Sequence, residues 1–165
     1  MRSLEPPESH FLSAAIGWLE LGNTGEALSE LCRLPIPARC HPDVFEVRWQ
    51  IYARERKWET ALDLARVIIK LDPQRPEGWI HQSYSLHELE RTDEARRHLV
   101  EVAERFPEVC TIPYNLACYA CQLGDLDETR DWLHRAIRVG GKRQIKSMAL
   151  EDADLRPLWD EIRKL

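Results

Sequence analysis

At 165 residues, 44% of them apolar and 31% charged, the chain has the composition of one ordinary globular domain. Its net charge of −5 argues against sequence-independent nucleic-acid binding, which needs a basic surface, and the small basic group Lys142, Arg143 and Lys146 reads as a solvated face or a helix-end charge match. No apolar run approaches the roughly 18 residues of a membrane span, the N-terminus lacks the apolar core of a secretory signal, and five cysteines in no framework spacing fit reduced thiols in a cytoplasmic protein.

In chain order, residues 1–8, with Pro6 and Pro7, are expected to form an N-terminal arm. A helix over 9–21 is broken at Gly22-Asn23, and a return helix over 25–34 is stopped by Pro35 and Pro37, because proline removes a donor and clashes with the preceding turn. Residues 35–42 form the longest irregular connector. The second pair covers 43–54 and 58–71, closed by Asp72-Pro73. The third covers 76–89 and 92–106, closed by Pro107, with Thr92 as the N-cap of its second helix. The fourth covers 111–123 and 126–139, closed by Gly140-Gly141. Each segment repeats apolar residues at three- and four-residue steps. Beyond it, Ile145, Met148 and Ala149 form one apolar stripe, and Leu155, Leu158, Trp159 and Ile162 another. Asp154 would cap the last helix with Pro157 in its first turn.

The pairs are copies of one unit. Ala27, Ala61, Ala95 and Thr129 are each 34 residues apart. So are Gly22, Arg56, Glu90 and Gly124; Leu31, Ala65, Leu99 and Leu133; Leu34, Ile68, Val102 and Ala136; and Phe11, Phe45, Trp79 and Pro113. This period is the length of one helix–turn–helix unit in a stacked superhelix, so the expected fold class is an all-α solenoid. Four repeats, at about 9–41, 42–75, 76–109 and 110–141, precede capping helices over 142–165. Such caps cover the apolar end of the last repeat.

The aromatic, Leu–small pair, turn glycine, small residue and closing proline, clearest in Phe45–Pro73 and Trp79–Pro107, resemble the tetratricopeptide repeat over residues 8–141. The resemblance implies a right-handed superhelical solenoid whose first helices line a concave face, and a role in holding other proteins. Three departures stand out: Pro113 replaces the first aromatic, Thr129 replaces the usual alanine, and Arg48-Trp49 stands where a Leu–small pair is expected. Tyr114-Asn115-Leu116-Ala117-Cys118-Tyr119 with Asp154-Leu155-Arg156-Pro157-Leu158 also looks like the closing portion of a group of bacterial tetratricopeptide proteins. The aromatic residues Trp18, Tyr52, Trp58 and Trp79 fall on packing positions.

The inward stripe of the first helices is the candidate partner-binding groove: Glu46, Gln50 and Arg54 in the second repeat, His81, Tyr84 and Glu88 in the third, and Tyr114, Asn115 and Cys118 in the fourth. These side chains combine hydrogen-bonding groups with rigid aromatic area, which suits a protein or peptide segment. The family's chaperone-tail clamp needs lysine and arginine, and the matching positions, Leu12, Ile16, Val47, Glu77 and His81 counted from the first repeat or Glu46, Gln50, His81, Thr111 and Asn115 from the second, supply neither; Glu46 and Glu77 would repel a carboxylate. A homo-oligomer or larger complex built through the cap or convex face, and a secretion-type chaperone, are the alternatives.

Catalysis finds no support in the sequence. It has no phosphate loop, nucleophile elbow or H-E-x-x-H. Cys118 and Cys121 supply one C-x-x-C, and His81 and His87 diverge on their helix, so no four-ligand metal set converges. No cofactor, metal, nucleic acid or membrane is expected as a ligand.

Overall fold

The computed structural model describes residues 4–165; the start of the expected N-terminal arm, residues 1–3, lies outside them. The helices are α1 (Glu8–Glu20), α2 (Thr24–Arg33), α3 (Ile36–Arg39), α4 (Pro42–Arg54), α5 (Trp58–Leu71), α6 (Pro76–Glu88), α7 (Thr92–Val100), α8 (Thr111–Gln122), α9 (Leu126–Gly140), α10 (Lys142–Glu151) and α11 (Trp159–Lys164). Short 3-10 turns occupy Ala103–Arg105 and Ala153–Leu158. No strand occurs among the described residues, and none of their helices is long and apolar enough to cross a membrane. The fold is all-α and built of helical repeats.

One turn recurs four times. After α1, the Gly22 amide donates to the Leu19 carbonyl at 3.0 Å and the Asn23 amide to Trp18 at 2.9 Å. The same pair of bonds closes α4 through Arg56 and Lys57, α6 through Glu90 and Arg91, and α8 through Gly124 and Asp125. This C-terminal motif requires a left-handed residue, and φ is 80°, 55°, 61° and 85° at Gly22, Arg56, Glu90 and Gly124. Glycine takes that conformation freely, whereas a side chain is strained there. Arg56→Gly should therefore raise stability by about 1 kcal/mol, seen as a higher urea midpoint at unchanged slope.

After the turn comes the small position. Ala27, Ala61, Ala95 and Thr129 are all fully buried, which lets the second helix of each pair lie close to its neighbours. Thr129 is tolerated because its hydroxyl donates to the Asp125 carbonyl at 2.7 Å, so no polar group is left unpaired.

The chain forms two compact units, Met1–His81 and Gln82–Leu165, divided within α6. In the first, α1 and α2 pack on α4 around Ala15, Leu19, Leu31, Leu34, Val44, Val47 and Ile51. Trp49, Ala61 and Ala65 centre a second cluster with Tyr52, Trp58 and Leu64. Trp18 departs from the expected packing role, with 37% of its surface exposed. The connector after α2 is less irregular than expected: α3 makes one turn, and the Arg39 guanidinium ties it back to the Cys32 and Leu34 carbonyls.

In the second unit α8 is the central element, packed on α7, α9 and the 3-10 turn 153–158. Ile112, Leu116, Ala117, Tyr119 and Ala120 are fully enclosed. Helix α7 is shorter than expected. The chain tightens before Phe106-Pro107, where proline disfavours helical geometry in the residue ahead of it. Thr92 is the first residue of α7 rather than its N-cap, and its hydroxyl is hydrogen-bonded to His87 Nδ1 at 3.0 Å. Beyond α9, Ile145, Ala149, Leu155, Leu158 and Ile162 are buried, whereas Met148, expected in the first of these stripes, is exposed.

Candidate functional site

In the first unit, Glu46, Gln50 and Arg54 lie at four-residue steps on α4, so they share one face. Gln50 Nε2 donates to Glu46 Oε1 at 3.1 Å. His81 Nε2 sits 2.8 and 2.7 Å from the two oxygens of the same carboxylate. The His81 ring stacks on Trp49, with centroids 3.7 Å apart and planes 10° from parallel. Arg54 is committed to structure: its guanidinium donates to the Leu19 carbonyl at the end of α1. That bond satisfies a helix-end carbonyl.

Burial alone would raise the Glu46 pKa. The hydrogen bond and charge of His81, the Gln50 amide and the charge of Arg75 outweigh it and hold the carboxyl below its ordinary value. A depressed carboxylate stabilises the fold above its unfolded pKa, and that contribution disappears as pH falls through the folded value. Stability lost by wild type on acidification below about pH 4.5 should therefore be smaller in Glu46→Gln; parallel urea-midpoint curves for the two proteins would contradict this.

In the second unit, the end of α6 presents Tyr84, His87 and Glu88, and α8 presents Tyr114, Asn115, Cys118 and Gln122. The chain itself covers much of this face. The segment after α10 lies along α8 and brings Asp152 and Asp154 onto it. Tyr114 donates its hydroxyl to Asp152 Oδ2 at 2.9 Å, and the Cys118 thiol donates to the same oxygen at 3.4 Å. Asp152 Oδ1 accepts from the Asp154 amide at 3.0 Å, so Asp152, not Asp154, caps this turn. His87 Nε2 lies 2.9 Å from Asp154 Oδ2, and Gln122 donates to the Asp154 carbonyl at 3.1 Å.

Tyr114 and Cys118 are consequently buried, Asn115 is half-buried beside Tyr119, and Tyr84 remains 38% exposed. Expected together on an open face, these residues divide into a covered pair and an accessible one. Asp152, Asp154 and His87 escaped the sequence reading of the groove because they lie 32 or more residues from their partners, outside any local pattern.

The electrostatics follow from this closure. Burial, with the neighbouring Asp152 charge, pushes the Cys118 thiol well above the ordinary range. A thiol held protonated is the opposite of an activated nucleophile. Burial, then the charge and hydrogen bond of Glu88 and the charges of Asp152 and Asp154, push the Tyr84 phenol up to about 12. Cys118 Sγ and one carboxylate oxygen each of Asp152 and Asp154 lie within 4.8 Å of one another. This is a donor set that a cation could share, and the C-x-x-C spacing gave no sign of it. Tyr114, Cys118, His87 and the Asp154 amide already hydrogen-bond those two carboxylates, which makes the set a clasp for the C-terminal segment. Trp159 belongs to the same closure: its indole donates to the carbonyls of Ala149 and Asp152 at 2.9 and 3.2 Å.

No family model matches the sequence, and no curated protein matches it. Solved structures do. PilF of Pseudomonas aeruginosa superposes with a TM-score of 0.74 at 22% identity, over 93% of this chain and 68% of that one. TTC0263, a thermophilic tetratricopeptide-repeat protein of Thermus thermophilus, gives 0.71 at 16% identity, over 96% and 100%. MamA of Desulfovibrio magneticus RS-1 gives 0.70 at 14% identity, over 98% and 94%. At these identities the likeness speaks for the fold, and the fold is that of a tetratricopeptide-repeat protein.

Proposed function

We propose that the chain is a non-catalytic protein-interaction module that holds a segment of a partner protein against its first-helix faces. In this reading Glu46 and Gln50 form the contact surface of the first unit, with His81 buried beneath them against Trp49 and holding Glu46 in place, and Tyr84, Glu88 and Asn115 form that of the second. Tyr114 and Cys118 support the second surface from beneath, and Arg54 holds α1 behind the first. The observation that carries the reading is Tyr84, a large amphipathic ring left 38% exposed beside the Glu88 carboxylate. Rigid aromatic area with a polar tip is enriched where proteins bind each other. A protonated, enclosed Cys118 supports the non-catalytic part. Five free cysteines fit a reducing, cytoplasmic setting.

The test is affinity capture from the native host's lysate with wild type and with Tyr84→Asp/Asn115→Ala, its fold verified by circular dichroism. A protein captured by wild type and lost by the variant supports the reading. Retention of every captured protein by the variant sinks it.

A further inference from the structure

We infer that the cleft where α6 turns into α7 receives a basic side chain, arginine or lysine, from the bound partner segment. This rests on the interaction-module reading and adds the partner's chemistry to it. The cleft has a volume of about 720 Å³ and lies between the end of α6, the start of α7, the end of α8 and Asp154. That is room for a long side chain and its neighbours.

Charge selects the occupant. Five carboxylates line the cleft against two guanidiniums, and both guanidiniums are already engaged. Arg91 is paired with Glu94 at 2.7 Å, and Arg97 with Asp93 at 3.0 Å. The excess of carboxylates makes the field negative however they pair, and His87 is bonded to Asp154. One turn back along α6, the exposed Tyr84 ring lies in the field of Glu88, Asp152 and Asp154, which come from two separate parts of the chain.

A guanidinium or ammonium group fits this arrangement. Its charge and donors meet carboxylate acceptors, which make the stronger class of hydrogen bond. An acidic or phosphorylated segment would meet like charge, and an apolar one would desolvate the carboxylates without compensation.

The probe is a fluorescein-labelled nonapeptide carrying two arginines among serines and leucines, titrated into the full chain by fluorescence polarisation. Its twin carries citrulline at both positions, keeping the shape and removing the charge. The arginine peptide should bind saturably, the citrulline twin about tenfold more weakly, and Glu88→Gln/Glu90→Gln should weaken the arginine peptide by a similar factor. Glu59→Gln/Asp63→Asn removes the same charge from α5 and should leave binding unchanged. Equal binding of the two peptides, indifference to the cleft variant, equal loss in the α5 variant, or no saturable binding of the arginine peptide would each overturn the inference. The lysate capture separates the two levels. A partner lost with Tyr84→Asp/Asn115→Ala but showing no arginine preference removes only the basic-side-chain inference. No lost partner removes the interaction reading as well.

Discussion

Trp49→Ala should destabilise the protein by about 3–5 kcal/mol, the range for deleting a large buried aromatic ring. The repeat frame alone suggests the reverse, because Trp49 occupies a position where a small residue is usual. The structure shows how the ring is housed. It is 8% exposed, packs with Ala61 and Ala65, and lies flat on the His81 imidazole at 3.7 Å. His81 is itself set in place by Glu46. Alanine at 49 would leave a cavity against α5 and one face of His81 without its stacking partner. Trp49→Phe should recover a large part of the loss, since it returns a planar ring. Trp18→Ala, at an exposed tryptophan, should cost about 1 kcal/mol or less. Urea unfolding of the three variants decides it: equal midpoints for Trp49→Ala and Trp18→Ala would show that the stack contributes little.

Asp152→Ala should cost about 2–4 kcal/mol, because it removes a cap and strands two buried donors at once. Asp152 accepts the Asp154 amide through one oxygen, and the Tyr114 hydroxyl and Cys118 thiol through the other. Without it, the segment carrying Leu155, Leu158 and Ile162 keeps only the Gln122 amide as a polar attachment to α8. Asp152→Asn keeps an acceptor oxygen and a competent cap, so it should recover at least half of the stability. The clasp also has a chemical readout. Cys118 is 4% exposed, so a thiol reagent should modify it slowly in wild type and faster in Asp152→Ala. Peptide mapping separates it from the exposed Cys32 and Cys40. Unchanged labelling of Cys118 together with unchanged stability would show that the C-terminal segment is held by its apolar side chains alone.

Much of the fold is legible before any coordinates. The turn positions Gly22, Arg56, Glu90 and Gly124 share one sequence beat and one left-handed geometry. The small positions Ala27, Ala61, Ala95 and Thr129 share the same beat and complete burial. Both are local requirements: a helix must end with a residue that tolerates positive φ, and two helices can approach closely only over a small side chain. The same reasoning located the main helices to within a residue or two at most ends. It failed at α3 and at the end of α7, where the outcome depends on side-chain ties that apolar periodicity does not encode, such as Arg39 to the Cys32 carbonyl, and on how a proline is approached.

The candidate site was less legible, and the reason is reach. Periodicity selects the face on which a side chain stands, and it selected the faces carrying Glu46, Tyr84 and Cys118. It is silent about what comes to lie on that face. Arg54 is engaged by a carbonyl 35 residues away, Tyr114 by an aspartate 38 away, and His87 by one 67 away. By itself, then, the sequence determined the helical repeat, its turns and its small buried positions, because these rest on interactions within one hairpin. Only the tertiary structure decided that Trp49 stacks on His81, that the C-terminal segment buries Tyr114 and Cys118, and that Tyr84 remains accessible. Those outcomes depend on which distant polar groups can satisfy one another once water is excluded, and no local spacing encodes that.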